Sequence, residues 1–149
     1  MTFNPLLFLH LSSVVIWVGG MFFAYFCLRP AAVQILEPAQ RLPLWVATFS
    51  RFFKLTAAAV IVIIATGMMM LLQVGFKFAP IGWHIMLTTG LIMTGIFIYV
   101  YAVLYPRLCS QCNAQTWPVA AATLNTVRKC VGINLVLAVI TIAAAISAR

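Results

Sequence analysis

Four apolar segments of roughly 20 residues each take up most of this 149-residue chain. Their approximate bounds are 5–28, 55–74, 81–105 and 131–148. About 20 apolar residues suffice for a helix to cross the hydrocarbon core of a bilayer, where unpaired backbone groups find no partner in lipid. Because the connections are short, neighbouring spans should be antiparallel. The sequence therefore predicts an all-α integral membrane protein, a four-helix bundle that forms a single domain over residues 1–149.

The basic residues are unevenly distributed between these spans. The chain has a formal net charge of +8 and one acidic residue, Glu37. Arginines and lysines cluster in the connections after spans one and three, whereas the connection between spans two and three contains only Lys77. The positive-inside rule places both basic connections in the cytoplasm and both termini outside, on the periplasmic side of a bacterial-type inner membrane. Charges in these places contact lipid phosphates, so the predicted partner is the lipid bilayer and not nucleic acid.

The first basic connection has a helical pattern of its own. Apolar residues recur at helical spacing, and Arg41, Arg51 and Lys54 lie between them. The apolar positions are Leu42, Trp45, Val46, Phe49, Phe52 and Phe53. Such an amphipathic pattern predicts a short helix that lies in the membrane interface before span two.

Three pairs of residues recur at nearly the same distance along the chain. The pairs are His10 with His84, Pro30 with Pro106, and Lys54 with Lys129, separated by 74, 76 and 75 residues. This spacing suggests an internal duplication. In a duplicated chain, spans one and two and spans three and four would form parallel repeats about an axis along the membrane normal, with the histidines facing each other across it.

His10 and His84 are the only histidines, and each lies near the start of an apolar span. Spans one and three run in the same direction, so both imidazoles should lie at similar depth beneath one membrane face. A polar side chain in hydrocarbon usually faces the bundle interior. Three interpretations follow: two separate histidines bonded to carbonyls or interfacial water, axial ligation of a haem, or coordination of a bare metal ion.

The haem interpretation is the leading hypothesis, because the helix faces below both histidines are mostly apolar and suit a flat macrocycle. It predicts a b-type haem between spans one and three, ligated by the two imidazoles. Trp17, Met21 and Thr88 would line the pocket, with Lys77 or Arg149 near the propionates. Such a protein would serve electron transfer or haem-linked oxidoreductase chemistry with a quinone or protein as electron partner, as a single chain or a homo-oligomer.

The alternative hypothesis is copper transport across the inner membrane. Cys109 and Cys112 form a C-x-x-C motif in the second basic connection, where thiolates could bind Cu(I). His10, His84 and Met21 would be the ligands on the outer side, and Met21 is the only methionine on a histidine's face. No Asp or Glu lies in any span, so the sequence argues against an acid–base hydrolase. A third hypothesis is a non-catalytic membrane subunit.

Three stretches carry a resemblance to a known family. Residues 10–21 contain a histidine followed by a tryptophan and a Gly-Gly pair, residues 50–67 begin with Arg-Phe and end with Thr-Gly, and residues 127–137 form the closing span. These motifs resemble the copper-resistance protein D family, of which this chain looks like a short stand-alone member. The resemblance implies copper uptake or export. A more distant likeness to HemJ-type haem-associated proteins implies His10 as a haem ligand, although His84 stands near where that pattern has a lysine.

Overall fold

The computed structural model describes residues 4–147, and every regular element in that range is helical. These residues form six α-helices and two π-helical turns. In chain order they are α1 (Pro5–Phe23), a π-helical turn (Ala24–Leu28), α2 (Arg29–Ile35), α3 (Pro38–Val74), α4 (Ile81–Tyr99), a second π-helical turn (Val100–Leu104), α5 (Tyr105–Asn113) and α6 (Trp117–Ser147). The predicted all-α class is confirmed.

These elements join into four long continuous helices, each long and apolar enough to cross a membrane. Their bounds are Pro5–Ile35, Pro38–Val74, Ile81–Asn113 and Trp117–Ser147. The chain is therefore a multi-pass membrane protein. Each helix contains one predicted span, and the bounds agree to within one residue at one end of the bundle. At the other end the helices continue for 7 to 17 residues beyond the predicted spans.

Local sequence signals fix the helix ends. The Asn4 side chain accepts hydrogen bonds from the backbone N–H groups of Leu6 and Leu7, which are among the donors that the first turn of α1 leaves unpaired. Gly75 ends α3 with a positive φ of 86°, a conformation that glycine adopts without steric cost. Residues 36–37 connect α2 to α3 and residues 114–116 connect α5 to α6, so antiparallel neighbours result.

The two ends of the bundle differ in charge. At about 1.5 Å per residue, α3 is about 55 Å long, whereas the hydrocarbon core is about 30 Å thick. The excess length lies at the end formed by α2, α5 and the first turns of α3 and α6, called the basic end below. Of the cations in residues 4–147, only Lys77 lies at the opposite end, where α1 and α4 begin, called the histidine end.

The separate interfacial helix predicted before span two is wrong. Residues 38–54 are the first turns of α3 and continue into the span without a break. The apolar stripe explains the continuity, because the same helical phase runs through the basic connection and into the span. Its buried members are Leu42, Trp45, Phe49, Phe53, Thr56 and Val60. These side chains are covered by protein and not by the membrane interface.

Aromatic rings fill the centre of the bundle between the two ends. Trp17 of α1 meets Phe97 of α4 edge to face with ring centroids 6.1 Å apart, and Phe53 of α3 meets Phe97 at 6.0 Å. Phe53 also contacts Tyr101 and Tyr105 edge to face. Such arrangements are favourable between aromatic quadrupoles. These five rings are called the aromatic layer below, and they separate the histidine end from the basic end.

Candidate functional site

His10 is half-buried on α1 and is fixed by a side chain of α3. Its Nδ1 lies 2.9 Å from the Thr66 Oγ1. The Thr66 hydroxyl has one proton, and it donates that proton to the Val62 carbonyl at 2.6 Å. In the arrangement in which Thr66 donates to Val62, the Nδ1–H of His10 is the donor to Thr66. This assignment leaves Nε2 with its lone pair, which is the tautomer that a metal-binding imidazole needs.

The next residue of α3 makes room for the imidazole. A Cβ at Gly67 would lie 3.3 Å from the His10 Cε1 and 3.7 Å from its Nδ1, closer than most such contacts. Thr66 and Gly67 together form a seat for the His10 ring. The sequence contained this pair only as the Thr-Gly motif of a family resemblance, with no role attached. The sequence alone does not show the contact between these residues, because Thr66 lies 56 positions after His10.

A cavity of about 300 Å³ opens beside His10, between α1, α3, α4 and α6. Four of the seven methionines line it together with His10: Met68, Met70, Met86 and Met93. Thioethers and imidazoles are the neutral, polarisable donors that suit Cu(I). Met21, the methionine predicted from the sequence, is buried in the core and does not line this cavity.

The rest of the cavity wall offers little competing chemistry. None of its lining residues is charged, and the hydroxyls of Thr94 and Thr141 donate to carbonyls of their own helices, Gly90 and Leu137. Trp17, predicted to line a haem pocket, lies in the wall of this cavity and also belongs to the aromatic layer. No carboxylate belongs to the wall of this cavity.

His84 does not line this cavity. Its ring lies against Phe76, with centroids 5.8 Å apart. Thr88 is exposed, donates to the His84 carbonyl and lies outside the cavity as well. Lys77 is exposed in the connection between α3 and α4, and Arg149 lies outside the described residues. The haem shared by both histidines stays a prediction, and the observed positions do not favour it.

Cys109 and Cys112 lie on α5 at the basic end. Both are half-buried free thiols, and a separation of three residues places them on one helix face. Cys130 is half-buried and Cys27 is exposed. Within residues 4–147, no three His, Cys, Asp or Glu side chains gather into a potential metal site. A metal ion in this part of the chain would therefore need methionine ligands or a pair of thiolates.

One comparison with known proteins found a match. A family model described as Copper resistance protein D, or CopD, matches residues 46–148, which is more than half of the chain. The match confirms the resemblance noted from the sequence motifs, and it begins after the span that contains His10. Neither the curated proteins nor the solved structures compared with this chain include a match.

Proposed function

The chain belongs to the copper resistance protein D family, and from that premise we propose that it binds copper within the membrane and moves it across. The cavity at the histidine end is the proposed entry site, with Cu(I) as the transported ion. The observation that carries this proposal is the cavity wall, in which His10, held by Thr66, lies together with four methionines.

The ligand chemistry supports copper over harder cations. Mg²⁺ and Ca²⁺ prefer oxygen ligands, which this wall supplies only as hydroxyls already engaged with carbonyls. Cu(I) is bound well by thioether sulfur and imidazole nitrogen. A copper ion bound to His10 would take its further ligands from among these four methionines of the wall.

The C-x-x-C motif is the proposed exit site. We place the basic end in the cytoplasm because the positive-inside rule assigns arginine- and lysine-rich connections to that side. The cytoplasm keeps thiols reduced, so Cys109 and Cys112 would receive Cu(I) from the cavity as stronger, anionic ligands. The aromatic layer lies between the two sites, so transfer requires Trp17 and Phe97 to move apart.

Copper binding by the purified protein tests the entry site. In the Cys109→Ser/Cys112→Ser background, which lacks the proposed exit site, we expect one tightly bound Cu(I) per chain in a competition titration with a chromophoric chelator. His10→Ala and the double variant Met86→Leu/Met93→Leu should weaken binding. Leucine has nearly the volume of methionine, so the fold should tolerate the double change. Met69→Leu is the matched control, because Met69 is exposed and does not line the cavity.

The same preparation discriminates copper from haem. His84→Ala should leave copper affinity unchanged, because His84 lies outside the cavity. A Soret absorption band that disappears in both the His10 and the His84 variants would overturn the copper proposal in favour of a shared haem.

Vesicles that contain the protein and a trapped Cu(I) dye test movement across the membrane. We expect copper influx with the wild type, loss of influx with His10→Ala, and loss with Cys109→Ser/Cys112→Ser. The double cysteine variant should still bind Cu(I) in the cavity. Cys27→Ser is the control, because Cys27 is a single exposed thiol. Equal influx through wild-type and His10→Ala protein would contradict the proposed entry site.

A further inference from the structure

A second cavity lies at the basic end and has a different chemistry. Its volume is about 170 Å³, and α2, α3 and α6 each contribute one arginine to its wall: Arg29, Arg41 and Arg128. All three side chains are half-buried. The other cations in residues 4–147 are exposed: Arg51, Lys54, Lys77, Arg107 and Lys129. The partial burial of cations is therefore confined to this one cavity within the described residues.

Nothing in the cavity wall neutralises the three guanidinium groups. No lining residue is acidic, and the only acidic side chain of the chain, Glu37, is exposed and does not line the cavity. Three like charges that share one half-buried cavity repel one another and lose part of their hydration. A bound anion would offset both costs, so the arrangement points to an anionic ligand.

The donor geometry fits a phosphate group. A guanidinium presents a planar fork of N–H donors that matches the oxygens of a phosphate. The Tyr25 hydroxyl and the Asn125 amide belong to the same wall and add neutral donors. Tyr25 is held close to α6, since a Cβ at Gly132 would lie 3.5 Å from its ring. Arginines and neutral donors from separate helices therefore converge on one small space.

The position of the cavity fits a membrane lipid. Apolar side chains form the rest of its wall, among them Leu42, Trp45 and Phe49 of α3 and Val131 of α6. Residues 24 and 131 also line it, and they lie at the ends of the apolar spans. The cavity thus lies where the hydrocarbon region gives way to the charged end of the bundle. A lipid headgroup lies at this level of a membrane, with its acyl chains beside the apolar spans.

We propose that this cavity binds the phosphate group of an anionic phospholipid through the guanidinium groups of Arg29, Arg41 and Arg128. The bound lipid joins α2, α3 and α6, which have no ion pair of their own to hold the three arginines. The site is distinct from both proposed copper sites, because no histidine, methionine or cysteine lines this cavity. Anionic lipid therefore stabilises the folded chain and is a second ligand of the protein besides copper.

The test is lipid retention by the full chain in detergent, measured by native mass spectrometry with added cardiolipin, phosphatidylglycerol or phosphatidylcholine. We expect the anionic lipids to bind and phosphatidylcholine not to bind. Each Arg→Gln change in the cavity should weaken binding roughly tenfold, the usual effect of losing a charge-assisted hydrogen bond. The cavity triple variant R29Q/R41Q/R128Q is compared with the control R51Q/K54Q/R107Q, which removes the same charge from exposed positions at the same end.

Two outcomes would overturn the proposal. An equal loss of lipid in the control triple variant would mean that diffuse charge attraction, and not the cavity, holds the lipid. Displacement of the lipid by millimolar inorganic phosphate would mean that the ligand is a soluble phosphate compound. Thermal unfolding with and without cardiolipin is a second measurement, and it needs only single variants. R41Q should reduce the lipid-induced rise in Tm, whereas R51Q should not.

Discussion

Replacing Thr66 by valine would test whether the His10 seat governs copper binding. Valine keeps the shape of threonine but removes the hydroxyl that accepts the Nδ1–H of His10. The helix also loses the Thr66 bond to the Val62 carbonyl. The imidazole could then rotate or adopt the other tautomer, which would take the Nε2 lone pair away from the cavity.

The expected loss follows from the role of such supporting bonds. Removing the partner of a metal-binding imidazole typically costs 10- to 100-fold in metal affinity. That range corresponds to about 1.4–2.7 kcal/mol of binding free energy. The free energy of unfolding should change less, since hydrogen bonds between membrane helices average about 0.6 kcal/mol. A larger loss in copper affinity than in stability is therefore the specific signature of this seat.

The assay is a Cu(I) competition titration in detergent of Thr66→Val, Thr66→Ser and Thr88→Val, each made in the Cys109→Ser/Cys112→Ser background so that the thiolate site does not contribute. Serine restores the hydroxyl and should restore most of the affinity. Thr88 donates to a carbonyl of its own helix, as Thr66 does, but lies outside the cavity, so its valine variant should bind copper like the wild type. Unchanged affinity in Thr66→Val, or an equal loss in Thr88→Val, would refute the proposed role of the seat.

Two further predictions concern the bundle as a whole. Gly20→Ala should lower the free energy of unfolding by about 1–3 kcal/mol relative to Gly19→Ala. A Cβ at Gly20 would collide with the Phe52 ring, whereas a Cβ at Gly19 would meet open space. Equal thermal unfolding of the two variants would contradict this prediction. A reporter that works only in the periplasm should be active when it is fused after the last residue. A reporter that works only in the cytoplasm should be active when it is inserted at residues 114–116. The reverse pattern would contradict the proposed topology.

The helices could be predicted from the sequence because hydropathy alone determines where a chain can cross a bilayer. Their extensions at the basic end could not be predicted in the same way. Residues 38–54 and 117–130 contain charges, which end an apolar window but do not end a helix. The stripe from Leu42 to Val60 keeps one helical phase from the charged region 38–54 into the span, so packing against other helices decides that α3 is continuous.

The candidate site could be predicted only at residues whose type alone is unusual in an apolar span. His10 and Trp17 stand out as a polar group and a large ring in an apolar span, and both line the cavity. The methionines do not stand out, because methionine is a common filler of apolar cores. Thr66 and Gly67 acquire a role only through contact with His10, which depends on how α1 and α3 pack and not on any local pattern.

The spacing of His10 and His84 along the chain explains why the two side chains do not line one cavity, although they were expected at similar depth. Buried residues of α1 have counterparts on α4 exactly 76 positions later: Ser13 and Thr89, Trp17 and Met93, Met21 and Phe97. The π-helical turns repeat at the same distance. His84, however, follows His10 by 74 residues, and two residues turn an α-helix by roughly 200°. The counterpart of His10 at the common spacing is Met86, which lines the cavity with it. An imidazole and a thioether therefore share this space, which favours a soft metal ion over the two-histidine haem.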